Sequence, residues 1–237
     1  DTLMLFTNPL ELRKDVNELR GELFNTMGFH GNTGCWRGYI AEWKIINEEL
    51  YLTNIYSCHY YEDSLKADFK TLFPKIDNQD EIKATWVSGK LLIPKGEEVH
   101  YVHSGYGSYY EYELMLTFDK GQLITQQLYD NSRSHKSVFT HDVNEFRSFI
   151  YKNFNWSLLP KDEEKVIFVS TLSGRTPKPD SVEILKSSND EEIDLEIVRV
   201  INKIPDWDIY YKRGKLVRKK IFYRIDLNDE IRERYAH

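Results

Sequence analysis

The sequence predicts an α+β protein of two domains, and three observations carry that prediction. Apolar residues recur at helical spacing early in the chain, then alternate with a period of two through a long middle stretch. Turn signals return at intervals of roughly ten residues with no helices between the strands, which argues for an antiparallel sheet and against a doubly wound parallel one. Aromatic residues make up 14% of the 237, with 16 Tyr, 12 Phe and 5 Trp, and such rings suit pleated, half-buried surfaces.

Composition narrows the class further. Hydrophobic residues at 41% and charged residues at 30% exclude a disordered or fibrous chain. No apolar run approaches the roughly 18–20 residues that cross a bilayer, so no membrane span is predicted. A net charge of −6 argues against nucleic acid as the partner. Cys35 and Cys58 are the only cysteines, which excludes a disulfide framework. One bridge between them is geometrically possible, but two small half-buried thiols are the commoner arrangement and the expected one. The chain opens on Asp1-Thr2-Leu3-Met4 rather than on methionine, which predicts processing or trimming ahead of Asp1.

In chain order, Leu12, Val16, Leu19, Leu23 and Phe24 share one face of a helix expected from Glu11 to Met27. Asn8-Pro9 suits its start and Gly28 its end. The glycine-rich stretch 28–34 reads as a loop. From Trp36 to Ile46 and from Leu50 to Tyr56 the period is two, and Asn47-Glu48-Glu49 supplies the turn of a hairpin. A short helix is expected over Ser64–Phe73 and a polar loop over Asn78–Glu81. Thr85–Ile93 reads as a strand closed by a turn at Pro94-Lys95-Gly96. Strands at Val99–Val102, Tyr109–Phe118 and Gln122–Tyr129 complete the sheet, the last two joined by a hairpin turn at Asp119-Lys120-Gly121. Such spacing allows a curled or barrel-like form. Asp130–Lys136 holds no large apolar residue and is the expected boundary, giving domains 1–135 and 136–237.

Beyond it, Val143, Phe146, Phe149 and Ile150 mark a helix capped by Thr140 or Asp142. Strands follow at Lys165–Leu172 and Ser181–Leu185. A helix runs Ile193–Lys203, with Ser188 or Asp190 near its start and Pro205 ending it. Two last strands, Trp207–Tyr211 and Leu216–Leu227, flank Lys212-Arg213-Gly214-Lys215.

This ordered set resembles the C-terminal domain of TonB-type energy-transducing proteins. The resemblance covers about Asp142 to Leu227. It is carried by Phe149-Ile150-Tyr151-Lys152-Asn153-Phe154-Asn155-Trp156, by Val166-Ile167-Phe168-Val169 before Gly174, and by Val182-Glu183-Ile184-Leu185. Asp194-Leu195-Glu196-Ile197-Val198 follows, then Ile204-Pro205-Asp206-Trp207, Arg213-Gly214-Lys215-Leu216-Val217 and Ile221-Phe222-Tyr223-Arg224-Ile225. The family's proline after the first-helix aromatic is replaced by Ser157 and delayed to Pro160. The resemblance implies a small α+β domain and pairing with a peptide strand in the periplasm or cell envelope.

The residues point to chemistry of binding rather than catalysis. A long β-prone closing strand near the chain end suits a sheet edge, with Lys219, Ile221, Tyr223 and Ile225 as candidate partner-binding residues. The charged tail from Asn228 could instead blunt that edge. Tyr106, Tyr109 and Tyr110, in a tyrosine-rich run with Tyr101 and Tyr112, are candidates for an aromatic binding surface or for a core built from rings. Lys212, Arg213, Lys215, Arg218, Lys219 and Lys220 cluster without an acid, and a solvated hairpin tip is the expected reading. Glu111 and Glu113 share a strand face and are expected to be solvated. His100 and His103, three apart on a strand, point to opposite faces, so no metal site is predicted, and no cofactor. No nucleophile elbow or phosphate-cradling glycine pattern occurs, so no catalytic residue is named. The function expected is a non-enzymatic protein-interaction module of the bacterial cell envelope. The alternatives are an enzymatic or ligand-binding N-terminal domain with an accessory TonB-like domain, and a cytoplasmic interaction protein reusing that fold.

Overall fold

The structure, a computed structural model, describes residues 2–76 and 80–236; Asn78, in the expected polar loop, lies outside the described residues. The chain divides into two units. Unit 1 holds the chain up to Pro94 together with Leu114–Leu128, and unit 2 holds Lys95–Glu113 and the chain from Tyr129 onward. The last crossing falls beside the expected boundary at Asp130–Lys136. The segment Lys95–Glu113 belongs with the C-terminal part, which sequence periodicity had no means to register.

Unit 1 opens with a 3-10 turn, Pro9–Leu12, followed by α1 (Val16–Gly21) and a π-turn, Glu22–Thr26. The continuous helix expected from Glu11 is therefore broken. Arg13 is extended, with ψ 142, and its guanidinium returns to Asp15 at 2.8 Å. The break turns Leu12 outward and lets Leu10 join Leu19 and Leu23 in the core. Strands β1 (Tyr39–Ile46) and β2 (Glu49–Ser57) form the expected hairpin. Its turn residues Asn47 and Glu48 have φ 49 and 65, a mirror-image turn that matches strand twist. One-turn helices α2 (Tyr60–Asp63) and α3 (Phe69–Leu72) replace the helix expected over Ser64–Phe73. Ser64 ends the first in the left-handed region, and the Asp68 side chain caps the second.

Strand β3 (Ile82–Lys83) adds to β2, and β4 (Gly89–His100), β5 (Tyr109–Asp119) and β6 (Gln122–Asp130) complete a sheet ordered β1-β2-β6-β5-β4. The order has two ends, so the sheet is open and the barrel-like form is excluded. Nor is Pro94-Lys95-Gly96 a turn: β4 runs through it. An end strand tolerates a proline because it has a row of amides with no ladder partner. Gly96 takes φ 78, and a Cβ there would collide with the Glu111 side chain.

Cys35 and Cys58 form a disulfide, with Cα atoms 6.1 Å apart. This overturns the expectation of two free thiols: the hairpin brings their flanking loops together, a pairing that 23 residues of separation do not reveal.

Unit 2 contains α4 (Val138–His141), α5 (Val143–Asn153), β7 (Lys165–Ser173), β8 (Pro179–Lys186), α6 (Glu191–Lys203), β9 (Tyr210–Lys212), β10 (Lys215–Val217), β11 (Lys220–Leu227) and α7 (Asp229–Tyr235). Asp142 caps α5 and Asp190 caps α6 through side-chain acceptance of first-turn amides, as expected from their positions. A three-stranded antiparallel sheet runs β11-β7-β8. One face carries Ile167, Val169, Tyr223, Ile225 and Leu227, packed with Phe146 and Ile150 of α5 and Ile193, Ile197, Val200 and Ile201 of α6. Burying one such aliphatic side chain stabilises the fold by about 1.5–3 kcal/mol. The single strand expected over Leu216–Leu227 is divided. Lys215–Val217 pairs with β9, whereas Lys220–Leu227 pairs with β7.

Candidate functional site

Strand β11 stands at one end of its sheet, paired through all eight residues with β7 from Lys220↔Leu172 to Leu227↔Lys165. Tyr223 and Ile225 are buried in the helix-facing core, Tyr223 stacked on Phe146 at 3.7 Å, and Ile221 packs against the same core. Their side chains are thus committed inward, and any pairing at this edge falls to the backbone. The opposite face exposes Phe222, 65% accessible. It also carries Lys220, paired to Glu183 at 3.0 Å, and Arg224, paired to Asp226 at 2.8 Å. The charged tail comes up beside the C-terminal end of this strand, where Ile231, Arg234 and Tyr235 line a pocket with Tyr151 and Asp226. It forms α7, capped by the Asn228 side chain, and Tyr235 packs on Tyr151 of α5 at 5.4 Å.

The hairpin β9–β10 is not a solvated tip. Its turn residues Arg213 and Gly214 have φ 52 and 69. Their amides donate to the Glu113 carboxylate at 3.1 Å and to Asn131 Oδ1 at 2.8 Å. Asn131 Nδ2 donates in turn to Glu113 at 3.1 Å and to the Tyr110 carbonyl at 2.9 Å. Glu113, only 2% exposed, is therefore a buried acceptor that seats the hairpin, and not the solvated carboxylate its alternation suggested. Glu111 accepts the Glu97 amide at 3.1 Å. A buried carboxylate is tolerated when donors surround it, and two backbone or amide N–H groups do so here.

Docking the hairpin brings its lysines onto tyrosine rings. Lys212 Nζ lies 4.1 Å from the centroid of Tyr109. Lys219 Nζ lies 4.7 Å from the same centroid and 5.4 Å from that of Tyr210. Arg133 stacks over Tyr211 at 4.4 Å. Tyr109 is 8% exposed, so it is a floor under cations and not an open aromatic surface. Tyr106, at 43%, and Tyr101 are the exposed members of the run, and Tyr110 is half-buried.

Beneath this floor lies a polar network that the sequence did not signal. Asp208, fully buried, accepts the Ser137 amide at 2.6 Å and the Tyr210 hydroxyl, and His141 Nε2 stands 3.2 Å from its second oxygen. One step along, His135 Nε2 meets Asp206 at 2.7 Å. Burial, then the hydrogen bond to Asp208, pushes the Tyr210 hydroxyl far above the usual tyrosine range. The His100 ring lies 4.7 Å from Tyr210 and 5.4 Å from Tyr109. Burial, followed by the positive charges of Lys219 and His141, holds His100 down at about 4. His100 Nδ1 and the Tyr223 hydroxyl are buried without a hydrogen-bond partner among the described residues. His135 and His141 meet Asp206 and Asp208 across 67 or more positions, a pairing set by the fold.

Comparison with protein-family models, curated proteins and solved structures found no match. The site therefore speaks through its own chemistry. Among the described residues, no group of three or more His, Cys, Asp or Glu side chains is placed to hold a metal. His103 instead meets the Tyr101 hydroxyl at 2.8 Å. In unit 1 the disulfide joins two loops bearing accessible rings. Trp36 follows Cys35 and lies under Arg37 at 4.2 Å, while Tyr60, the first residue of α2 just after Cys58, packs on Tyr56 at 4.5 Å. Trp36 and Tyr61 are exposed. The sequence signal for this patch was the run Cys58-His59-Tyr60-Tyr61, legible only once the bridge is known.

Proposed function

We propose that this protein is a non-enzymatic interaction module of the cell envelope, with a TonB-like C-terminal domain that takes up an extended peptide as an added strand on β11. The observation that carries the reading is the end position of β11. It is an eight-residue strand at the end of the sheet order, paired with β7 and with Ile221, Tyr223, Ile225 and Leu227 turned to the core, and α7 lies beside its C-terminal end at Asp226. Such an edge offers a row of amide and carbonyl groups to an incoming chain. The element order of unit 2, helix, two strands, helix, short hairpin and closing strand, follows the order on which the resemblance rests. The Cys35–Cys58 bridge supports an oxidising compartment. Among the described residues, no helix is long and apolar enough to cross a membrane.

The test is selection of ten-residue peptides from a displayed random library against the full chain, followed by amide chemical-shift mapping of the winners. The reading requires that binders perturb and protect amides of β11. Binders that map elsewhere, or β11 amides that are fully protected before any peptide is added, overturn it.

A further inference from the structure

We propose that Lys212 and Lys219, standing over Tyr109, form a binding site for carboxylate groups of an acidic peptide segment. The two ammonium groups share one ring, at 4.1 and 4.7 Å from its centroid. That holds them within about one Debye length of each other. Neither has an ion-pair partner among the described residues, whereas their neighbours Arg218 and Lys220 are matched by Asp180 at 2.8 Å and Glu183 at 3.0 Å. The side chains of Arg213 and Lys215 in the same hairpin likewise form no ion pair among the described residues.

Two like charges held together on a tyrosine floor, neither in an ion pair among the described residues, leave a local positive potential. His100 registers it: Lys219 is the largest charge acting on that ring, and it acts to keep it neutral, together with His141 and against Asp208 and Glu98. An anion at the two lysines relieves the repulsion and lets His100 hold its proton to higher pH.

Peptide carboxylate is the occupant that the remaining features favour. The chain carries 38 acidic against 32 basic residues, so a long polyanion or a flat anionic surface meets repulsion beyond the patch, while a short acidic stretch meets only the lysines. Lys219 also directly precedes the first residue of β11. Placement of the peptide thus rests on the strand-addition reading, and what the lysines add to it is an acidic residue at the end of the added strand.

The experiment titrates the isotope-labelled full chain with a ten-residue oligo-glutamate peptide, with oligo-serine as the neutral control. The expected result is salt-sensitive binding by oligo-glutamate alone, shifts at Lys212, Lys219 and Tyr109, and a rise in the pH at which His100 titrates. Lys212→Gln with Lys219→Gln is expected to weaken binding roughly tenfold or more, and Lys→Arg at both to retain it. Equal binding by wild type and the double Gln variant overturns the proposal. So does tighter, lysine-dependent binding of vesicles containing anionic phospholipid or of a uridine homopolymer. An N-methylated oligo-glutamate, unable to pair as a strand, separates the two claims. If it shifts the lysines and leaves β11 unmoved while the unmodified peptide also leaves β11 unmoved, the carboxylate site stands and strand addition falls.

Discussion

Replacing Asp208 by alanine tests whether the buried network in unit 2 stabilises the fold. The carboxylate is fully buried and accepts from the Ser137 amide at 2.6 Å and from the Tyr210 hydroxyl. Ser137 and Tyr210 are themselves buried, so the substitution strands two donors away from water. Each stranded donor costs about 1–3 kcal/mol, and loss of the nearby His141 contact adds little because that ring is half exposed. The sum is about 3–5 kcal/mol, in line with breaking other buried charged contacts. Asp208→Asn keeps one carbonyl for the Ser137 amide, and the Tyr210 hydroxyl rotates to accept from the new NH2, so its cost is about 1–2 kcal/mol. Native-state hydrogen exchange of α6 and β7 amides reads unit 2 separately from unit 1. Asp208→Ala should speed their exchange by about two to four orders of magnitude, and Asp208→Asn by roughly tenfold. A change below about tenfold for alanine, or equal effects for the two variants, refutes the reasoning.

Two further outcomes follow from the same reading of burial and charge. His100 titrates near 4 in the fold against 6.5 in the unfolded chain. Protons therefore bind the unfolded chain first, and stability present above 6.5 is lost as pH falls towards 4. After discounting for the ring's partial exposure, the loss is about 1–2 kcal/mol, and His100→Phe should flatten this part of a urea-denaturation pH series relative to wild type. Cys35→Ser with Cys58→Ser removes a bridge between positions 23 apart, worth about 3 kcal/mol by loop-closure entropy. Exchange at β1 and β2 amides should accelerate accordingly, while α6 amides in the other unit keep their rates.

Much of this molecule is local. The helices α5 and α6 and their caps at Asp142 and Asp190 were legible because an amphipathic period and a side-chain cap involve only near neighbours. The same holds for the turns at Asn47-Glu48 and Lys120-Gly121. The misreadings have one common cause. At Pro94-Lys95-Gly96 the residues carry a turn signal, but an end strand absorbs the proline and Glu111 occupies the space that glycine leaves. Near Glu11 the apolar period runs on unbroken, but the Arg13–Asp15 contact and the burial of Leu10 interrupt the helix.

The sequence by itself determined the α+β class, the helices α5 and α6 and the basic character of the final hairpin. Only the tertiary structure decided where those charges stand. Glu113 and Asn131 reach the turn at Arg213 and Gly214 across 83 or more positions, and so set Lys212 and Lys219 on the Tyr109 ring. The physical reason is that periodicity reports which face a residue takes within its own element, whereas burial of a polar group requires donors that only a distant segment supplies.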